Sequence, residues 1–274
     1  MQFRELSYAN DGQPRHVRLL IRGIESLSGR RRFAGLYDIW RRDIAPTGER
    51  VFGRMLELIN IGLNCENQWP PADLPDGPLV MVANHPFGIG DGIAVLAMAE
   101  QLGRPFRVMI NSDLLKIREM QPYALPVDFS ESKAALRNNL AVRHEAVRLL
   151  KDGTVIVVFP AGGVATAPKG FGKAEDLPWK LFPARLVQEA RATVIPVHFS
   201  GQNTWAFHAV SRFSMTLRIA MLIREFTRLQ GRMIRVRSGK PISWPELEAF
   251  GGRQDLTGHL RRTVFALEAE NSVA

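Results

Sequence analysis

The sequence predicts an α/β protein with a mostly parallel central sheet, flanked by helices and preceded by an amphipathic helical N-terminal region. Short apolar runs alternate with helical segments from residue 79 onward, which is typical of strands joined by crossover helices. The run at residues 155–159 is apolar at every position, so we expect a strand buried on both faces, as in a parallel sheet. A Pro-rich stretch at residues 69–78 separates this pattern from the helical residues before it.

The periodicity of apolar residues defines the individual elements. We predict strands at residues 79–83, 106–110, 154–159, 193–199 and 233–238. We predict helices at residues 92–102, 114–120, 133–150, 183–190, 208–228 and 255–270. Pro196 indicates an edge position or a strand end for its strand, because proline has no N–H to donate to a neighbour. We therefore divide the chain into residues 1–68, an N-terminal amphipathic helical region that associates with membranes, and residues 69–274, an α/β domain.

The N-terminal region combines apolar residues at helical spacing with arginines between them. The apolar positions of its first helix are Val17, Leu20, Ile21, Ile24 and Leu27. A more apolar helix is predicted at residues 51–63. Basic amphipathic helices that carry aromatic residues can lie in the interface of a bilayer. The alternative is that the apolar stripes pack on the domain behind them, and one helix can do both.

The positive charge is concentrated in two Arg-rich stretches of this 274-residue chain, whose formal net charge is +9. Residues 1–54 hold eleven Arg and six acidic residues, and residues 212–237 hold seven Arg and one Glu. Such stretches predict an anionic partner, unless they are only solvated helix faces. The arginines lie within apolar helices and no nucleic-acid-binding module is recognisable, so we expect an anionic membrane surface and no nucleic acid.

The composition excludes several classes of protein. With 46% hydrophobic and 23% charged residues, the chain is expected to fold into a globular core. Cys65 is the single cysteine, which excludes a disulfide framework and a cysteine-based zinc cluster. The first residues lack the apolar segment of a signal peptide and no run of 18 apolar residues occurs, so we expect neither a leader nor a transmembrane helix.

The first candidate site is the segment Asn-His-Pro-Phe-Gly-Ile-Gly-Asp at residues 84–91. It follows a predicted buried strand and opens a helix, which is where the sites of open α/β sheets lie. Asp91 can accept from one ring nitrogen of His85, which leaves the other nitrogen as a base. Gly88 supplies the backbone freedom that such a tight return needs. The alternative is a turn in which Asp91 caps the helix and His85 only packs.

A second candidate site is the segment Phe-Pro-Ala-Gly-Gly at residues 159–163, at the end of another predicted buried strand. The backbone N–H groups of Gly162 and Gly163 can approach an anion or an oxyanion there. Taken by itself, the segment is better explained as an ordinary strand-to-loop turn.

In this order, the segments resemble the motif blocks of the lysophospholipid acyltransferase superfamily, which includes the 1-acylglycerol-3-phosphate acyltransferases. The matching residues are Asn84, His85 and Asp91 in the first block, Phe159, Pro160 and Gly162 in the third, and residues 194–197, with Pro196, in the fourth. Three departures occur. The spacer between the His and the Asp has five residues instead of four, and the Glu and Thr of the third block are Ala161 and Gly163. The second block's Arg, which helps to hold a glycerol phosphate, has no counterpart at residues 108–113; Arg107 and Lys116 lie out of register.

These departures resemble a bacterial branch, often called hemolysin-like, whose members include acyltransferases that complete ornithine- or glycine-containing lipids. The resemblance implies an O-acyltransferase that moves a fatty acyl group from a thioester to the hydroxyl of a lysolipid. His85 would be the general base and Asp91 would orient it. The implied substrate-binding residues are Asn84, Phe87, Gly88, Asn111, Phe159, Pro160, Ala161, Gly162, Gly163 and Pro196. The missing phosphate-binding Arg favours a lyso-aminolipid or another lysophospholipid over lysophosphatidic acid as the acceptor.

The resemblance also implies the partners. The acyl donor would be an acyl carrier protein thioester or a coenzyme A thioester, and we expect no metal or other cofactor. Together with the Arg-rich stretches, it implies a peripheral protein on the cytoplasmic face of the inner membrane.

The sequence is also open to three other interpretations. A metal-dependent hydrolase could use His85, Asp91 and His198, but no third ligand has convincing spacing. A serine hydrolase needs a nucleophile elbow, and the segment at residues 198–201 lacks its leading glycine. A catalytically inactive or hydrolytic homologue that binds membrane lipid stays open.

Overall fold

The predicted α/β class is confirmed by a computed structural model, which describes residues 6, 7, 9, 14–27, 29–128 and 133–269. Within this part the strands are β1 (Gly62–Cys65), β2 (Leu79–Ala83), β3 (Phe106–Asn111), β4 (Ala124–Val127), β5 (Val155–Val158), β6 (Thr193–Ser200) and β7 (Met233–Ser238). The α-helices are α1 (Arg15–Leu27), α2 (Arg30–Ile39), α3 (Val51–Leu58), α4 (Ile89–Glu100), α5 (Lys133–Lys151), α6 (Phe182–Ala190), α7 (Trp205–Phe213), α8 (Met215–Arg228), α9 (Trp244–Glu248) and α10 (Arg253–Ala269). A π-helical turn (Trp40–Ile44) follows α2, and short 3-10 segments lie at Ala45–Thr47, Ser112–Lys116 and Arg118–Tyr123.

The strands form one sheet in the order β1-β7-β6-β2-β5-β3-β4. The five strands from β6 to β4 run parallel, while β7 is antiparallel to β6 and parallel to β1. Because the carboxyl ends of parallel strands meet at one edge, the loops after β2, β3, β5 and β6 come together there. Both candidate segments of the sequence follow strands of this group.

Helices cover both faces of the sheet. Met81 of β2 points to the core beneath α3 and α4, whereas its neighbour Val80 points to the core beneath α5, α6 and α10. Alternation along a strand sends successive side chains to opposite faces. Since both faces are covered, every residue of β2 and β5 is buried, as their uninterrupted apolar sequences predict.

Two of the predicted helices differ from the structure by more than a shift of a few residues at their ends. The helix expected at residues 51–63 ends at Leu58, because Asn60 adopts a left-handed conformation with φ of 56° and the chain turns into β1. The helix expected at residues 208–228 consists of α7 and α8. Ser214 is extended between them, and its hydroxyl accepts from the N–H of Leu217 to cap α8. The segment predicted as a helix at residues 114–120 forms 3-10 turns, and β1, β4 and α9 were not predicted.

The edge position indicated by Pro196 is wrong. β6 lies between β2 and β7, and Pro196 is in register with Val82 of β2. The strand tolerates the proline because its carbonyl accepts from the N–H of Gly239, where the pairing with β7 ends. The N–H that proline lacks would point to that same side, so no ladder bond with β2 is lost.

The N-terminal helix α1 packs against α8. Ile21 and Glu25 are buried, and Glu25 accepts a hydrogen bond from the Ser7 hydroxyl at 2.8 Å. Leu19 and Leu20 are exposed, so the alternative in which the whole apolar stripe packs on the domain does not hold at Leu20. The side chains of residues 24 and 27 lie outside the described part of the structure. The assignment of residues 1–68 to a membrane-associating region stays a prediction.

No helix in the described ranges combines the length and the apolar composition needed to cross a membrane.

Candidate active site

The loop after β2 is anchored by Asn84, the first residue beyond the strand. Its side-chain amide donates to the Phe199 carbonyl at 3.0 Å, and its side-chain oxygen accepts from the Phe199 N–H at 2.7 Å. Both polar atoms of this buried side chain are thus engaged by the backbone of β6. Asn84 therefore fixes the start of the loop and does not face the space in front of His85.

His85 and Asp91 lie against each other despite the five-residue spacer. The Nδ1 atom of His85 is 3.0 Å from Oδ1 of Asp91, although the two atoms are not aligned as a linear hydrogen bond. The other carboxylate oxygen of Asp91 accepts from the Phe87 N–H at 2.8 Å. The return of the chain depends on Gly88, whose φ of 83° is rarely adopted by other residues. Asp91 is fully buried in the first turn of α4.

A second carboxylate, Asp176, holds the backbone of His85. One of its oxygens accepts from the His85 N–H at 3.2 Å, and the other accepts from the Trp179 indole at 3.0 Å. On the other side of the peptide, the His85 carbonyl accepts from the Ala165 N–H at 2.7 Å. His85 is thus fixed through both backbone groups as well as through its ring.

The loop after β5 contacts the imidazole ring of His85. Phe159 stacks on His85, with ring centroids 4.1 Å apart and planes inclined by 28°. The Gly162 N–H donates to the Phe159 carbonyl in a tight turn, where Gly162 has a φ of 66°. The prediction that the Gly162 N–H is free to bind an oxyanion is therefore wrong. The N–H of Gly163 donates to no backbone carbonyl of the described residues, and it is the remaining candidate of the pair.

The charges around His85 raise its pKa above the ordinary value. Burial alone lowers this pKa, but the charge and close contact of Asp91 raise it. The charge of Asp176 also raises it, while the charge of Arg218 lowers it. Burial in turn raises the pKa of Asp176, against the two hydrogen bonds that this carboxylate accepts. Because its pKa is raised, the imidazole of His85 binds a proton more readily than an ordinary histidine does.

An apolar cavity of about 340 Å³ extends from His85 into the protein. Its walls come from α2, α3, α4, β3 and α8, with side chains such as Phe33, Phe52, Ile93 and Phe226. The predicted residues Gly88, Asn111, Phe159 and Gly162 also line it. The N-terminal helix α2 thus forms part of the cavity wall in front of the α/β sheet. A cavity of this size and lining suits the hydrocarbon chain of a lipid.

Several predicted site residues lie elsewhere. The Pro160 carbonyl accepts from the Lys180 N–H, and Ala161 is buried on the α5 side of the sheet. Pro196 is enclosed within β6, and Phe87 packs against Gly201 in the core. None of these four residues lines the cavity. They support the loops that carry the site.

Two charged residues at the site were not predicted. Asp176 lies in a loop with no repeat or motif, and its nearest sequence signal is Trp179 three residues later. Arg218 belongs to the second Arg-rich stretch, but its side chain is only 8% exposed and turns inward. Periodicity assigns arginines to the outer face of a helix, so it does not predict an inward-facing Arg218.

His198 does not join His85 and Asp91. It is buried in β6 and its ring contacts Phe265 of α10. Among the residues that the structure describes, no group of three His, Cys, Asp or Glu side chains is arranged to hold a metal ion.

The His85 and Asp91 side chains thus meet beside an apolar cavity at the carboxyl edge of the sheet, where the sites of open α/β folds lie. A family model described as Acyltransferase matches residues 69–273, so the chain belongs to this acyltransferase family. The family resemblance expected from the motif blocks is thereby confirmed.

Two curated bacterial relatives are similar to the chain, and both are named lyso-glycine lipid O-acyltransferase. The protein from Phocaeicola vulgatus is 27% identical over 184 residues, which cover 63% of this chain and 62% of that protein. The protein from Bacteroides thetaiotaomicron is 29% identical over 180 residues, which cover 62% of each chain. The chain thus matches less than two thirds of the length of these relatives.

Proposed function

We propose that this protein is an O-acyltransferase that transfers a fatty acyl group from an acyl thioester to the hydroxyl of a lysolipid. The observation that carries the proposal is the contact between His85 and Asp91 at the mouth of the apolar cavity. Membership of the acyltransferase family and the names of both relatives support it. The acyl donor is the thioester of acyl carrier protein or of coenzyme A.

The chemistry follows from the orientation of the imidazole. Since Nδ1 of His85 faces Asp91, Nε2 is the nitrogen that takes the proton from the acceptor hydroxyl. The hydroxyl oxygen attacks the thioester carbonyl carbon, and the resulting tetrahedral intermediate collapses as the carbon–sulfur bond breaks. The protonated His85 then returns the proton to the leaving thiolate. Asp91 stabilises the imidazolium between these two steps, and such general-base catalysis contributes about 10²- to 10⁴-fold.

The N–H of Gly163 is our candidate for contacting the oxyanion of the intermediate. It lies in the loop whose neighbouring residues Phe159 and Gly162 line the cavity beside His85. Loss of one oxyanion donor typically lowers the rate by about 10²- to 10³-fold. The apolar cavity takes up an acyl chain, so that the thioester carbonyl reaches the imidazole at its mouth.

We infer that the acceptor is a lyso-aminolipid of the glycine type. The names of the two relatives support this acceptor. The absence of the second-block Arg at residues 108–113 also argues against a phosphate-bearing acceptor. The alternatives are a protein that only binds lipid and a hydrolase that releases the fatty acid to water.

The test uses the purified full-length protein with an acyl-CoA or an acyl carrier protein thioester and a panel of lysolipids. We expect the acyl group on the hydroxyl of lyso-glycine lipid, and His85→Ala should abolish turnover. Better turnover with lysophosphatidic acid than with every other acceptor would overturn the acceptor assignment. Release of free fatty acid without transfer would identify a hydrolase, and no thioester consumption would identify a binding protein.

We further propose that the protein is peripheral and binds the cytoplasmic face of the inner membrane. Trp205 and Phe213 of α7 are 74% and 83% exposed, and Leu19 and Leu20 are exposed on α1. Both helices pack against α8, so these apolar side chains belong to neighbouring elements. Exposed aromatic and aliphatic groups beside arginines are typical of helices that lie in an anionic bilayer interface.

A further inference from the structure

Arg218 is a buried cation that lacks a carboxylate partner in the described part of the chain. Its guanidinium donates from Nη2 to the Val164 carbonyl and lies 5.8 Å from the centre of the Phe207 ring. No ion pair to this residue occurs among the described side chains. A buried charge without a counterion is costly, so a cation kept in this state calls for a ligand that supplies the missing charge.

The carboxylates of the site and the one on α8 have other partners. Asp91 contacts His85 and the Phe87 N–H, and Asp176 accepts from His85 and Trp179. On α8 itself, Glu225 accepts from the N–H and the hydroxyl of Thr204. The missing negative charge is therefore not supplied by any of these three groups.

The position of Arg218 connects it with the reaction. Its Nη2 is 4.0 Å from the point where a Cβ atom on Gly163 would lie, so the guanidinium borders the loop of the proposed oxyanion donor. One helical turn later, Leu222 lines the apolar cavity. The charge of Arg218 also acts on His85, where it lowers the pKa of the imidazole. The guanidinium thus lies behind Val164, a residue of the cavity wall, and within electrostatic reach of the base.

We propose that Arg218 binds the carboxylate of the acceptor lysolipid while the acceptor hydroxyl faces His85. The proposal rests on the proposed acyltransferase function and specifies how that site recognises its acceptor. An amino-acid headgroup that is attached through its nitrogen keeps a free carboxylate. The planar guanidinium matches two carboxylate oxygens through parallel hydrogen bonds. One guanidinium is therefore enough to bind a carboxylate. The second-block Arg that the family uses to hold a phosphate is absent here.

The test compares two acceptors, lyso-glycine lipid with a free carboxylate and the same lipid as its uncharged methyl ester. Loss of a hydrogen-bonded charge pair weakens binding by about tenfold to hundredfold. We therefore expect the wild-type protein to prefer the acid by that factor in kcat/KM. In Arg218→Met the preference should disappear, and Arg218→Lys should keep part of it. Arg228→Met is the matched control, because Arg228 lies exposed on the same helix, and its preference should equal that of the wild type.

The comparison is internal to each variant, so a lower amount of folded protein changes both rates and leaves their ratio intact. Equal rates for acid and ester in the wild type would overturn the proposal, as would an unchanged preference in Arg218→Met. A raised KM for the acyl donor, with the acid preference retained, would assign Arg218 to the phosphate groups of the donor and would also overturn it. If the wild type acylated neither lipid, the proposed function itself would fail, which separates the two cases.

Discussion

The Nδ1 atom of His85 lies 3.0 Å from the Oδ1 atom of Asp91, six positions later in the chain. The usual family pattern has one residue fewer between these two side chains. The additional residue is accommodated because Gly88 turns the chain with a positive φ and α4 begins directly after it. The longer spacer is therefore compatible with a His-Asp pair.

Asp91→Asn should slow acyl transfer by about 10²- to 10⁴-fold, because the amide cannot stabilise the imidazolium. The base must be neutral to act, so wild-type kcat/KM should fall as the pH drops through the raised pKa of His85. Since Asp91 raises that pKa, its loss should move this acidic limb to lower pH. The measurement is a pH profile of kcat/KM with saturating donor.

Asp73→Asn, which changes an exposed carboxylate in the loop before β2, serves as the control for Asp91→Asn. Its profile should match that of the wild type. An acidic limb at the same pH in both the wild type and Asp91→Asn would contradict the role assigned to Asp91.

Asp176→Asn should identify Asp176 as a positioning residue. An amide replaces one acceptor oxygen with a donor, so either the His85 N–H or the Trp179 indole loses its partner. The loss of one such bond to a charged group costs about 1.5–3 kcal/mol, or roughly tenfold to hundredfold in rate. We expect a lower kcat with little change in the acceptor KM. The acidic limb should also move to lower pH, since the charge of Asp176 raises the pKa of His85.

A structural role alone would lower the stability of Asp176→Asn and leave the pH profile of the folded fraction unchanged. Urea unfolding therefore accompanies the kinetics. Asp152→Asn, which removes an exposed carboxylate after α5, is the comparison variant.

Gly92→Leu should shorten the acyl chain that the enzyme accepts. Gly92 lines the cavity from α4, and a Cβ atom there would meet no atom within 4 Å. A leucine in this helix therefore enters the cavity without backbone strain, and leucine has a higher helix propensity than glycine by up to about 1 kcal/mol. Transfer from long-chain thioesters should drop at least about tenfold relative to short-chain ones, because an overfilled cavity costs about 1–3 kcal/mol.

Gly35→Leu is the control, because Gly35 is exposed in α2 and its Cβ would also meet nothing. If Gly92→Leu kept the wild-type chain-length profile, the cavity would not be the acyl site.

Replacement of Trp205 and Phe213 by serine should weaken membrane attachment. Each aromatic side chain offers most of its surface to solvent, and burial of such a side chain in the interface contributes about 1.5–3 kcal/mol. In sedimentation with vesicles of anionic phospholipid at low salt, the double variant should partition at least about tenfold less than the wild type. Leu140→Ser, which removes an exposed apolar group from α5, should sediment normally. Equal sedimentation of the double variant and the wild type would exclude α7 from the membrane surface.

The strands with uninterrupted apolar sequences were predicted well from the sequence, and β2 and β7 have the predicted boundaries. Burial of β2 on both faces leaves a local signal because every position is apolar, whereas β7 is recognisable from its alternation of buried and more exposed residues. The strand β1 left none, since only one of its four residues, Leu63, is a large apolar residue and it pairs at the sheet edge beside β7. The break at Ser214 was missed because apolar spacing continues through it, whereas the cap that divides the helix is a single hydrogen bond.

The sequence by itself determined the fold class, the family and the His85 and Asp91 pair, because these depend on apolar periodicity and on residues that are close in the chain. Only the tertiary structure decided that α2 and α8 wall the cavity and that Asp176 holds the backbone of His85. Only the tertiary structure shows that the Arg218 side chain is buried, although the composition of its Arg-rich stretch predicts a solvated surface. Contacts between distant segments leave no spacing in the sequence, so the site's second carboxylate and its buried cation became visible only when the sheet brought their loops and helices together.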